Sequence, residues 1–310
     1  MDTTPAYWKE IISNNKRRAL WHDYRSRCIY MVTINKSESC PAFSSVSFED
    51  TNNNVSLTLF KSGEIIADEI KITPNFNPQI SILQYVIMPD HIHFLIFVKE
   101  PLQKHLGNII QAIKSASTRK IRNIYNNPIL TVFEEGFNDQ ILKPSRSLDI
   151  IYNYIRQNPY RLAVRKKYPD FFTRRNNIMV GESLCHAYGN LHLLQNPFKE
   201  HVIVHRADTP NQFERNKEIW LHTAANGGIL VSPFISPREK EIRVMAEALG
   251  GRLILITNTP LAKREKPFAH DFDLCSQGRL LIITPQHPIV PFSRKTCLQM
   301  NALSAAISTS

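Results

Sequence analysis

Short runs of β-branched and aromatic residues, separated by polar and proline-bearing stretches, fill the first hundred positions of the chain. Cys28–Asn35 (C-I-Y-M-V-T-I-N) and Val55–Phe60 read as strands, Glu64–Ile72 as a short helix, and Thr73–Pro78 (T-P-N-F-N-P) as its break. Ile80–Met88 then leads into the segment Gln84–Lys99, Q-Y-V-I-M-P-D-H-I-H-F-L-I-F-V-K. Polar Ser37–Asn54 reads as a surface loop, and basic, aromatic Tyr7–Arg27 as a helix or arm. From Leu102 to Ile124 the period becomes helical. Leu106, Ile109, Ile110, Ile113 and Ala116 share one face, and Lys104, Lys114, Arg119 and Lys120 are expected to point outward. After a short extended segment, Val132–Leu142, Lys143–Val164 predicts a second helix, capped by Ser145 or Ser147, with Leu148, Ile151 and Ile155 inward.

Beyond Arg175 the pattern changes to short, nearly continuous apolar runs: Glu200–His205, Gly228–Val231, Arg252–Ile256 and Arg279–Ile283. Strands buried on both faces read this way. Helical stretches, Gln212–Ala225 and Pro237–Leu249, alternate with them, as in a parallel α/β sheet. Two domains are therefore expected: residues 1–175, an α+β sheet domain, and residues 176–310, a smaller α/β domain.

Composition narrows the function classes. The 310 residues are 43% hydrophobic, and no apolar run reaches the ~18 residues of a membrane span. Met1–Lys9 is polar with no apolar region after it, so no signal peptide is expected. Cys28, Cys40, Cys185, Cys275 and Cys297 form no C-x-x-C pair, which argues against a zinc knuckle or disulfide framework and for a reducing cytoplasm. The net charge is +11, and Lys104–Arg175 alone carries 14 basic against 5 acidic residues. Such a window suits a polyanion such as nucleic acid, or is simply a solvated basic face.

Candidate chemistry starts at His91 and His93. In a strand, residues i and i+2 leave the same face, so both imidazoles emerge together and form half of a metal site, unless they are ordinary strand histidines. Tyr154 and Asn158, four apart, share one face of the second helix. The Asn158 amide oxygen is a candidate third ligand, and Tyr154 a nucleophile toward a phosphodiester. Tyr152 and Tyr160 compete for that role, but the residues four positions on, Arg156 and Val164, are not usual ligands. Pro159 disfavours helical geometry at Asn158, so a frayed or kinked end is expected there.

The segments Y-V-I-M-P-D-H-I-H-F-L-I, F-N-D-Q-I-L and Y-I-R-Q-N-P-Y-R-L, in this order, resemble the IS200-type single-tyrosine HUH transposases, and among them the REP-associated tyrosine transposases. The similarity covers roughly Arg25–Lys167. It implies an HUH fold, a ferredoxin/RRM-like antiparallel sheet with helices. It also implies Mg²⁺ or Mn²⁺ held by His91, His93 and Asn158, with Tyr154 as nucleophile. The implied reaction cleaves single-stranded DNA at a hairpin or repeat element, leaving a 5′-phosphotyrosine link and a free 3′-OH. Lys114, Lys120, Arg122, Arg165, Lys166 and Lys167 are then the expected phosphate contacts. The resemblance implies a cytoplasmic, nucleoid-associated monomer or homodimer. Asp90 stands where many relatives carry Asn, and Asn138 and Gln140 lie where relatives often carry a histidine. A different class of function, a catalytically silent DNA-binding regulator on the same fold, is the alternative.

Gly189–Pro285 resembles Rossmann-like domains related to DNA-processing protein A, through G-N-L-H-L-L, G-G-I-L-V-S-P-F and G-G-R-L-I-L-I. No G-x-G-x-x-G or Walker A sequence occurs, and no cofactor-binding residue is assigned. Asn190 and Ser232 are expected to line a crevice at the strand ends, unless the domain is a structural or protein–protein module.

Overall fold

The computed structural model describes residue 19 and residues 21–49, 54–142, 147–261 and 269–309. The expected arm Tyr7–Arg27 lies largely outside them, as does Ser145. The chain divides into two compact units, Met1–Ala163 and Val164–Ser310.

In the first unit, β1 (Cys28–Asn35), β4 (Ile80–Ile87), β5 (His91–Val98) and β6 (Asn138–Leu142) form one sheet in the order β4-β5-β1-β6. Every pairing in it is antiparallel. With α1 (Lys61–Phe76) between β1 and β4, and α2 (Leu106–Ile124) between β5 and β6, the order is the split β-α-β-β-α-β of ferredoxin-like domains. The α+β class expected from the sequence is what the chain adopts.

The sheet is covered on both sides, which is why β5 reads H-I-H-F-L-I-F-V with almost every position buried. Ile92, Phe94, Ile96 and Val98 join Val32, Ile34 and residues of α1 and α2 in one core. Leu95, Met31, Val86 and Leu142 pack on the opposite face with Ile155, Leu148 and Ile151 of α3 (Ser147–Lys167). Strand alternation thus sends His91 and His93 to the α3 face and Phe94 to the α1–α2 face.

Three local expectations are revised. The helix thought to end before Thr73 runs on to Phe76 with Pro74 inside it. The polar stretch read as a loop contains a strand, β2 (Ser44–Glu49), which pairs with β3 (Asn54–Leu59), the strand expected at Val55–Phe60, and Ser47 Oγ meets Ser56 Oγ across the pair at 2.6 Å. Lys114, expected outward, is buried, because it stands four residues after Ile110 and seven before Ile121 on the inward stripe.

The second unit begins earlier than residue 176, because β7 (Thr173–Val180) straddles that position and pairs with β8 (Ser183–Gly189). Its sheet has the order β7-β8-β12-β11-β10-β9, where β9 is Lys199–His201, β10 Ile229–Ser232, β11 Arg252–Ile256 and β12 Leu280–Pro285. The last four strands are parallel, and β8 joins β12 antiparallel. Helices α4 (Pro210–Ala225), α5 (Pro237–Ala248) and α6 (Ala269–Ser276) connect the parallel strands and share one core. α7 (Arg294–Ser308) covers the other face through Met300, Leu303 and Ile307.

The two residues expected to line a ligand crevice are structural. The parallel strands follow one another without reversal, so the sheet has no topological switch point among them. Asn190 is fully buried and acts as a clasp. Its Nδ2 donates to Phe171 O (3.2 Å) and Cys275 O (3.1 Å), and its Oδ1 accepts from Leu280 N (2.9 Å). Gly189 before it has φ +116°, and a Cβ there would lie 2.5 Å from Leu280 O. Only glycine lets the chain pass. Ser232, also fully buried, accepts from Phe234 N at 3.0 Å. Replacing Asn190 with alanine leaves buried Leu280 N without its acceptor and removes the side-chain bonds to Phe171 O and Cys275 O, and urea denaturation is expected to show a loss of about 2–4 kcal/mol in the second unit.

Candidate active site

The candidate site lies on the α3 face of the first sheet. β1 and β5 pair so that Thr33 lies opposite His93 and Asn35 opposite His91. The two imidazole centroids are 4.5 Å apart, with ring planes inclined at 69°. Each ring is tied at Nδ1: His93 to Thr33 Oγ1 at 2.8 Å, and His91 to Asp90 Oδ1 at 2.7 Å. The hydrogen bond from His91 holds the Asp90 carboxyl below the ordinary carboxylate pKa, outweighing its partial desolvation. With Nδ1 tied, Nε2 is the nitrogen of each ring suited to a cation, and carboxylate or hydroxyl partners behind ligating histidines fix the tautomer. Asp90 stands in the sequence as a departure from relatives, and Thr33 carries no motif at all. Thr33's role depends on a partner 60 positions away and leaves no local signal.

α3 delivers the other two candidates. The Tyr154 ring lies 5.7 Å from the His93 ring, centroid to centroid, and is half-buried against the core cluster that includes Met31, Leu95 and Ile155. The Arg161 guanidinium, two turns on, stands 5.9 Å from the same ring. Tyr152, by contrast, is exposed. The fray expected at Pro159 is absent, since α3 runs through it to Lys167. Asn158 Nδ2 donates to Tyr154 O at 2.8 Å, adding a side-chain bond in the turn where proline withdraws an N–H. Its Oδ1 accepts no hydrogen bond among the described residues. No group of three His, Cys, Asp or Glu suited to a metal occurs among the described residues. The donors expected from the sequence would be two imidazoles plus an amide oxygen, ligand types compatible with a divalent ion that retains several waters.

The expected phosphate contacts separate. Lys114 Nζ donates to Glu134 O and Gly136 O, both at 2.7 Å, and so fastens the loop that follows α2. Arg122 Nε donates to Leu130 O at 2.8 Å, and Lys120 pairs with Glu69. In the second unit Arg165 packs its guanidinium 5.7 Å from the Phe172 ring and 5.3 Å from Phe272. Lys166 and Lys167 are exposed. Lys114 and Arg165 are thus held in the fold by burial and ring packing rather than offered to solvent.

No helix of the described residues is long and apolar enough to cross a membrane. A protein of Haemophilus influenzae described as uncharacterized is 28% identical over 159 residues, which are 44% of this chain and 83% of that protein. A solved REP-associated tyrosine transposase bound to a REP hairpin is 14% identical, with a TM-score of 0.33, over 45% of this chain and 70% of its own. Residues 69–158 match the profile of the family described as Transposase IS200 like, and that segment contains His91, His93, Tyr154 and Asn158. Over residues 69–158 this chain is therefore similar to the IS200-like transposases.

Proposed function

We propose that the first unit is a metal-dependent single-strand DNA transesterase in which Tyr154 is the nucleophile. The observation that carries this reading is the placement of the Tyr154 phenol beside two paired imidazoles, each oriented from behind, on one face of the sheet. His91, His93 and Asn158 would hold Mg²⁺ or Mn²⁺. Such an ion, when bound, polarises the phosphodiester and offsets the charge that builds on its oxygens.

The chain's own residues do the rest. The core cluster that includes Met31, Leu95 and Ile155 seats the Tyr154 ring, and Arg161 borders it. Attack forms a bond from the phenolic oxygen to phosphorus and breaks the bond from phosphorus to the 3′ oxygen. The phenol loses its proton and the departing 3′ oxygen gains one. The product is a 5′-phosphotyrosine and a free 3′-OH, and because one phosphodiester replaces another, the step can run backwards. A hairpin or repeat element is the proposed target, in keeping with the hairpin named for the solved transposase.

The test is incubation of the full chain with end-labelled single-stranded oligonucleotides and Mn²⁺. A covalent protein–DNA adduct supports the enzyme. Binding without adduct supports the silent regulator instead. A finer prediction concerns the residue behind His93. Thr33→Val keeps the shape and removes the hydroxyl, so Mn²⁺ affinity measured by calorimetry is expected to fall about 10- to 100-fold with the melting temperature nearly unchanged.

A further inference from the structure

The strand register extends the site beyond the residues assigned to it. Across the α3 face, Val86, His93, Thr33 and Asn138 form one row, each paired with the next strand. Gln140 follows in the neighbouring row, opposite Met31, whose side chain lies on this same face. Asn138 and Gln140 therefore project from edge strand β6 on the face that carries the two imidazoles. Both are exposed, whereas Leu142, next along this face of the strand, is buried. Among the described residues neither amide side chain makes a hydrogen bond, although Asn35, Asn158 and Asn190 all do. Each of the two thus presents a donor and an acceptor without a partner among the described residues.

Their distance from the imidazoles sets what they can meet. Asn138 is two strand spacings from His93, on the order of 10 Å. A nucleotide whose phosphate lies at the His91–His93–Tyr154 cluster spans that distance to the far edge of its base. Asn and Gln amides match adenine, whose N6 donor and N7 acceptor stand side by side.

We propose that Asn138 and Gln140 form a base-reading subsite for an adenine close to the phosphate held at the candidate active site. This rests on the reading of that site as one for single-stranded DNA. It assigns sequence choice to the sheet edge and leaves phosphate contact to the imidazole side.

A randomised single-stranded DNA pool tests the assignment, with the bound fraction and the covalently linked fraction sequenced separately. With the wild-type chain, adenine is expected to be enriched at one position of the bound pool. In Asn138→Ala/Gln140→Ala that enrichment is expected to fall by about tenfold or more, the discrimination of a bidentate amide–base contact. Binding to polythymidine and the melting temperature should stay at wild-type values. Asn138→Asp, which only accepts, is expected to move the preference toward cytosine, whose N4 donates. A wild-type pool with no adenine preference, or a preference intact in the double variant, overturns the proposal. The linked fraction scores the chemistry on its own. Adenine enrichment with no linked DNA would refute the transesterase and leave the subsite standing, while linked DNA without the preference would do the reverse.

Discussion

Tyr154→Phe is expected to abolish formation of the protein–DNA adduct, slowing it about 10³-fold or more, because no other group takes over a lost nucleophile in place. The substitution removes one oxygen and little else. The ring keeps its position 5.7 Å from His93, its border with Arg161 and its seat against the cluster that holds Leu95 and Ile155. Melting temperature and affinity for a single-stranded oligonucleotide should therefore match the wild type, which separates loss of chemistry from loss of fold. Tyr152 is the control. It is exposed on the same helix, and Tyr152→Phe should leave the adduct at wild-type yield. Full-rate adduct formation by Tyr154→Phe would move the nucleophile elsewhere.

Phe94→Ala should have the largest effect on stability. Phe94 follows His93 in β5 but faces the opposite way, fully buried between Val32 and Tyr85 on the neighbouring strands. Truncation leaves a cavity beneath α1 and α2 and is expected to cost about 3–5 kcal/mol, a large share of the stability of an ordinary domain. Urea denaturation of the first unit would read it as a lower midpoint with an unchanged slope. Adduct yield per folded molecule, measured well below the transition, should fall little, since the imidazoles keep their partners Thr33 and Asp90. One strand thus separates the two kinds of damage by parity.

That parity was legible in the sequence, and so was the i to i+4 spacing of Tyr154 and Asn158, because both depend only on backbone repeat. The apolar runs of β10, β11 and β12 were legible for the same reason, being buried on both faces. β7 was not. Its T-R-R-N-N-I-M-V is mostly exposed, so no burial imposes an alternation that could be read. The clasp role of Asn190 was equally hidden, since its partners Phe171, Cys275 and Leu280 come from distant parts of the chain. The charge of Lys114 hides its buried position on α2. Its stem lies on the apolar stripe of α2, and its ammonium finds two carbonyls there. Thr33 and Asn138 gain meaning only from the register of β1 with β5 and β6.

Helix α7 has a consequence for how the protein is made. Met300, Leu303 and Ile307 cover strands whose own residues are complete some tens of positions earlier, and Ser304 Oγ donates to Val231 O at 2.7 Å to fasten the helix down. During synthesis, at about 5–20 residues per second, Ile229, Val231, Ile254 and Ile256 therefore wait several seconds with one apolar face bare. β8 likewise waits for β12, its antiparallel partner. A ribosome stalled before Arg294 would hold out a sheet that is hydrophobic on one side, the kind of surface that chaperones bind and that self-associates when they are scarce.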